Sequence, residues 1–425
     1  MKKIETLTLL IFSLVFFFGC TTKFPDIKWN QSDEDIIGTK FTKDESIKLD
    51  VYIDATTSME GFAVGNNTNY SQFLDQLEAS ARSVWKSADL KFYKFGEKIK
   101  PIDRSTYLSS KNDQIFYRES GIFKKTFIDN VIKNTDTKRL SIVLTDLFQD
   151  EGDVNIMVEK LKEQCFKKNV MVGFLCVKSN FNGRVFDTPE NPNGYKHVSS
   201  DRPFYALMFG NPANMEILLE SLKTKPFVRE DHVFLISNYL MKSLDISLLK
   251  SRDSKSVSKK APREKANNSF DFSMKEDGKE AKFDLTINFE RNPRVADFSE
   301  KNIDIVVYKK SISDPKVKSS DSVLTEDIRI ENIKRSGNKL TATVILNNND
   351  PIGNYSYLIY LRANQINGLL APSWIKNIST DNPIPNTPSA NKTYNLEKFI
   401  STLLVAKNSV NPTNVAKFYL NLYKR

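Results

Sequence analysis

In the stretch "LDVYIDATTSMEGF", Leu49–Phe62, apolar residues run up to Asp54 and stop, and three hydroxyl side chains, Thr56, Thr57 and Ser58, follow within four positions. A strand that ends on a carboxylate puts that charge at a sheet edge. In open parallel sheets the carboxyl ends of the strands are where ligands are held. A second apolar run, "LSIVLTD" from Leu140 to Asp146, also ends on Asp. Two carboxylates brought to one edge repel each other, and a cation between them removes the repulsion. Thr56 and Ser58 alternate with Thr57 and so point one way from an extended segment, as neutral oxygen ligands. Oxygen-only ligation with few carboxylates suits Mg²⁺ or Mn²⁺. The competing reading makes Asp54 and its hydroxyls caps of the following turn, a common use of these residues.

Outward from this stretch, helical and strand patterns alternate. "SQFLDQLEASARSVW" carries apolar residues at helical spacing, "DLKFYKF" is a strand, "FIDNVIKN" a short helix, and "NIMVEKLKEQCFKK" a longer one. "VMVGFLCV" and "PFYALMFG" are further strands, and "PANMEILLESLKT" another helix. Alternation of this kind predicts an α/β region over residues 46–248, with a mostly parallel sheet covered by helices on both faces. Residues 249–266 form a basic linker, with seven basic and two acidic residues between Lys250 and Lys265. Beyond it, from 267 to 375, short strand patterns separated by turns such as Glu276-Asp277-Gly278 predict an antiparallel, immunoglobulin-like β-sandwich. A tail over 376–425 offers one helix and a last apolar strand, "AKFYLNLY".

The N-terminus bears on location. Lys2 and Lys3 precede an apolar run, Leu7 to Phe18, that is short for a membrane span and stops at Gly19-Cys20. This reads as a secretory signal over residues 1–19. The end "FFGC" resembles a bacterial lipobox, which implies lipidation of Cys20 and an extracytoplasmic, membrane-anchored protein of the cell envelope. Residues 20–45 then serve as a polar tether. Of the other cysteines, Cys165 and Cys176 sit in apolar runs and read as buried thiols, with a disulfide as the alternative. Two histidines in 425 residues leave little for a His-rich zinc site or a Ser-His-Asp triad, and the net charge of +10 follows a general excess of Lys. Nucleic acid is not expected as a partner of an exported lipoprotein.

The residues "DATTSMEG" resemble the Asp-x-Ser-x-Ser-Met-x-Gly motif that begins the metal-ion-dependent adhesion site of von Willebrand factor type A domains. Asp54, Ser58, Met59 and Gly61 match, and Thr56 replaces the first Ser. The family's later strand-end Asp corresponds to Asp146, with Leu147 where Gly is usual, and its loop Thr corresponds to Thr126. The resemblance covers about residues 48 to 225. It implies a von Willebrand A, Rossmann-like fold and a Mg²⁺ or Mn²⁺ site of Asp54, Thr56, Ser58, Thr126 and Asp146. An acidic side chain of a protein partner would complete the coordination.

Three functions follow as expectations. The first is a lipoprotein that binds a protein through the cation, with no catalytic residue. The second is a structural scaffold of an envelope complex with a degenerate metal site. The third is a metal-dependent phosphoryl hydrolase with Asp54 as nucleophile, disfavoured because Thr56 stands where such enzymes carry a second Asp.

Overall fold

The computed structural model describes residues 29, 42–65, 67–118, 123, 125–147, 154–186, 193–237, 240–259, 268–311 and 322–425. The signal segment, Cys20 and most of the 20–45 tether and the 249–266 linker's second half lie outside the described residues. Among those described, no helix is long and apolar enough to cross a membrane.

The first sheet has seven strands: β1 (Ser46–Asp54), β2 (Ser87–Phe95), β3 (Ile99–Ile102), β4 (Arg139–Thr145), β5 (Met171–Val185), β6 (Tyr195–Gly210) and β7 (Val233–Ile236). Their order is β3-β2-β1-β4-β6-β5-β7. β1 pairs in parallel with β2 over its whole length and with β4 from Lys48 to Ile53. Every other pairing in this sheet is antiparallel. The expected mostly parallel, von Willebrand A or Rossmann-like fold is therefore overturned: the sheet is mixed, and across the described residues strand outweighs helix, 45% to 25%. The physical cause lies between β5 and β6. Among the described residues no helix separates them to carry a crossover, and the two strands pair antiparallel as a long hairpin.

One face of this sheet packs on the helices Asn69–Val84 and Pro212–Leu222 through residues such as Leu74, Leu77, Leu218 and Leu222. The other face packs on Ile128–Ile132, Val154–Gln164 and the C-terminal helix Leu396–Val410. Cys165 and Cys176 are buried free thiols on that side. Burial pushes both up to about 12, which keeps them protonated and unreactive.

The rest of the chain makes β8 (Met241–Lys250), β9 (Val257–Lys259), β10 (Ser269–Met274), β11 (Glu280–Arg291), β12 (Asp297–Phe298), β13 (Ile303–Ser311), β14 (Val323–Leu324), β15 (Ile328–Ser336), β16 (Lys339–Asn347), β17 (Gly353–Ala363), β18 (Leu369–Leu370), β19 (Ser379–Thr380), β20 (Thr393–Tyr394) and β21 (Asn414–Lys424). Two sheets, β14-β13-β17-β21-β10-β9 and β15-β16-β11-β8, face each other as a β-sandwich. Phe272 of β10 meets Phe283 of β11 across it, with ring centroids 4.5 Å apart. Three of the sandwich strands come from outside the range 267–375: the short β9 lies within the 249–266 stretch and pairs with β10, and the other two are long. β8 runs into the start of the basic linker and pairs with β11, and β21 of the C-terminal tail sits centrally between β17 and β10, in parallel with β10. Both alternate in apolarity, so each can bury one face in the sandwich core.

Candidate metal centre

Asp54 ends β1 on the edge where β2 and β4 also finish. Its carboxylate is fully buried. The Oδ1 atom accepts from the Thr56 backbone N–H at 3.1 Å and from the Thr56 hydroxyl at 2.7 Å. The first of these is the turn-forming bond that an Asp at this position makes in many proteins. The Oδ2 atom accepts from Thr126 at 3.0 Å and from Thr145 at 2.8 Å. Capping therefore explains part of the geometry and leaves the two bonds to Oδ2 outside it.

A line of hydroxyls continues to the second carboxylate. Thr56 Oγ1 lies 3.2 Å from both Ser58 Oγ and Thr126 Oγ1. Ser58 donates to Asp146 Oδ1 at 3.3 Å. All five residues read from the sequence, Asp54, Thr56, Ser58, Thr126 and Asp146, thus gather in one cluster from three separate segments, each with at most 5% of its surface exposed. Thr126 does not cap the helix that follows it: the capping position is Phe127, whose side chain makes no cap bond.

Thr145 was not among the sequence candidates. The signal for it is register: Ile53 of β1 lies opposite Leu144 of β4, so the next pair along the strands is Asp54 and Thr145. Leu147, where the motif's Gly is usual, adopts a left-handed φ of 62°. The backbone there has the conformation that glycine tolerates best, and a leucine holds it at a cost of about 1–2 kcal/mol. Gly61 has a packing reason. A Cβ on it would come 2.3 Å from the ring of Phe181, which β5 lays over the turn Glu60–Phe62.

Of the two Asn-bearing polar segments 63–70 and 182–202, the described end of the first is stitched down. Thr68 caps the Asn69–Val84 helix, the Tyr70 N–H donates to Ser179 Oγ at 2.9 Å, and Asn69 Nδ2 donates to the Lys178 carbonyl at 2.8 Å. The other, 182–202, is mostly strand: it forms the far arm of the β5–β6 hairpin, with 187–192 outside the described residues. That arm is braced from the C-terminal side, where Arg202 donates to the Ala390 carbonyl at 2.6 Å and His197 lies 2.7 Å from Asn391 Oδ1.

Burial raises the Asp54 carboxyl above its ordinary value, against the hydrogen bonds from Thr56, Thr145 and Thr126 that favour its ionised form. No Lys, Arg or His among the described residues pairs with it. Among the described residues no group of three His, Cys, Asp or Glu side chains gathers that could hold a metal. A cation here would rest on two carboxylates and three or four hydroxyls. That donor set fits Mg²⁺ or Mn²⁺, which take hard oxygen ligands and retain waters in the remaining positions. Each hydroxyl now donates to a carboxylate, and rotating its proton away offers a lone pair.

No protein-family model matches the chain, and no curated protein matches it. Among solved structures it is similar to the ASH / PapD-like domain of human CEP192 (PapD-like domain 7), at 11% identity over 40% of this chain and 87% of that chain, with a TM-score of 0.16. A superposition that slight bears on neither fold nor function.

Proposed function

We propose that this chain is an envelope lipoprotein, anchored through Cys20, that holds a divalent cation at Asp54, Thr56, Ser58, Thr126 and Asp146 and uses it to bind an acidic side chain of a protein partner. The observation that carries this reading is the buried Asp54 carboxylate, met among the described residues by hydroxyls and one backbone amide, with no cationic side chain beside it, and joined through the hydroxyls to a second strand-end carboxylate. The resemblance of "DATTSMEG" and "IVLTD" to adhesion-site motifs supports it, and so does the N-terminal "FFGC". The cation supplies an acceptor for a carboxylate. The chain's own residues orient it: Thr145 and the Thr56 amide fix the Asp54 carboxylate, and Phe181 over Gly61 fixes the turn that carries Ser58. No catalytic residue is assigned.

A second reading, an envelope scaffold with a silent site, is favoured by the burial of all five residues. One experiment separates the two. Signal-free wild type and Asp54→Asn are used in parallel to capture partners from envelope extract, with Mg²⁺ and with chelator. Capture lost in the mutant and in chelator supports cation-dependent binding. Capture that survives both supports the scaffold and ends the first reading.

A further inference from the structure

The stretch between Cys20 and Asp44 reads in sequence as a polar tether, yet Trp29 stands against the sandwich. Its ring centroid lies 6.1 Å from that of Tyr419 in β21, and Lys310 Nζ of β13 sits 4.9 Å from it. Both belong to the outer face of the six-stranded sheet, the side turned away from the four-stranded one. The stack continues across that face: Lys417 lies 5.8 Å from the Tyr419 ring and 5.7 Å from the Tyr360 ring, and Arg362 lies 4.5 Å from Tyr360. The solvent side of a sandwich ordinarily stays wet. Here Leu358 and Tyr360 are buried on it, and so are Lys310 and Lys417.

Fifteen residues on, the same chain is held on the other half of the molecule. Asp44 exchanges two hydrogen bonds with Asn214, at 3.0 and 2.6 Å, and Lys43 Nζ donates to the Val84 carbonyl at 3.0 Å. Between the two points the sequence carries Asp33, Glu34 and Asp35, opposite in sign to Lys310, Lys417 and Arg362.

We propose that the outer face of the six-stranded sheet is a docking surface for the chain's own N-terminal segment, keyed by Trp29 between Tyr419 and Lys310. The segment then staples the sandwich to the first sheet. One consequence rests on the lipoprotein reading, though the docking does not: only eight residues separate Cys20 from Trp29, so the anchor lies at most about 30 Å from the docked ring. The sandwich's outer face is then the surface nearest the anchor.

The signal-free chain from Thr21 onward tests this in solution, without lipid. It has three tryptophans, of which Trp85 and Trp374 are buried, so acrylamide quenching of this chain against Trp29→Phe isolates Trp29. The expected result is a Trp29 emission shifted to the blue and a quenching constant well below that of a free indole. Lys310→Gln and Tyr419→Ala should each move it toward the free value, and Lys310→Gln keeps the test open if Tyr419→Ala fails to fold. A Trp29 quenched as freely as indole in the parent chain overturns the proposal. So does a protected Trp29 that neither substitution exposes, because its site would then lie elsewhere. Loss of fatty-acid labelling in Cys20→Ser cells reads the anchor separately, so that a failure of the lipoprotein reading is distinguishable from a failure of the docking.

Discussion

Two buried carboxylates stand four residues apart on the same face of β1, and the fold meets them differently. Asp50 lies against the Arg139 guanidinium of β4 and accepts from the Tyr52 hydroxyl at 3.4 Å. Among the described residues Asp54 meets only hydroxyls and one amide. A buried charge is costly unless it is paired, and an ion pair removes most of that cost while hydroxyls remove less. The first carboxylate therefore belongs to the architecture, and the second has no counter-charge among the described residues, a place that a cation would fill. Even the first arrangement is imperfect: Asp50 Oδ1 and Arg139 Nε have no hydrogen-bond partner among the described residues.

Removing the counter-charge should give the largest effect. Arg139→Ala leaves Asp50 buried and unpaired, and is expected to cost about 3 kcal/mol in urea unfolding, the lower end for a broken buried pair because Arg139 is partly exposed. A cost near zero would mean that Asp50 is rehydrated and that the contrast with Asp54 is empty. Next in size is the cation. Mg²⁺ at about a hundred times its Kd should stabilise the signal-free protein by about 2.7 kcal/mol, and Asp54→Asn, which keeps the side chain's shape, should remove that response while the apo protein stays folded. An identical melting temperature of wild type in Mg²⁺ and in chelator would sink the metal site.

The comparison extends to a buried base. His232 packs against Trp374 with ring centroids 5.5 Å apart, and burial holds its pKa below 6.5, opposed by Asp231. The folded protein therefore binds this proton less readily than the unfolded chain does. Stability from this group is present above pH 6.5 and is lost as the pH falls below it through the lowered folded value. His232→Gln should flatten that part of a stability–pH curve measured by thermal melting; an unchanged slope would assign the acid sensitivity to other groups. The smallest effect is expected at Leu147. In Leu147→Gly, relief of left-handed strain opposes lost packing and added chain freedom, so unfolding free energy should change by less than about 1 kcal/mol. The Mg²⁺ response should persist, and its disappearance would show that the leucine side chain itself holds the loop of Asp146 in place.

What could be read before folding was chemistry tied to strand ends. Asp54 and Asp146 announce themselves by closing apolar runs, and Thr56 and Ser58 follow from alternation. Strand direction was less legible, because an apolar run such as 171–177 has the same composition in a parallel or an antiparallel sheet. The polar extensions of β5 and β6 carry no apolar run that would mark them as strands, since their side chains serve a two-stranded arm instead of a buried sheet. Thr145 needed register, which no single strand carries. β8 and β21 join the sandwich across long stretches of sequence, and Trp29 finds Tyr419 across nearly the whole chain; local patterns do not encode such distant partners.

β1 has one further consequence. The described chain enters it at Ser46 and leaves it at Asp54, so whatever pulls on the N-terminal side against a load held at Asp54 stretches this strand end to end. β1 is paired along its full length with β2 and over most of it with β4. The pull then runs along the strand, and its inter-strand hydrogen bonds resist together in shear instead of opening one after another. The proposed binding face would then be mounted at the far end of a central strand that is loaded in shear.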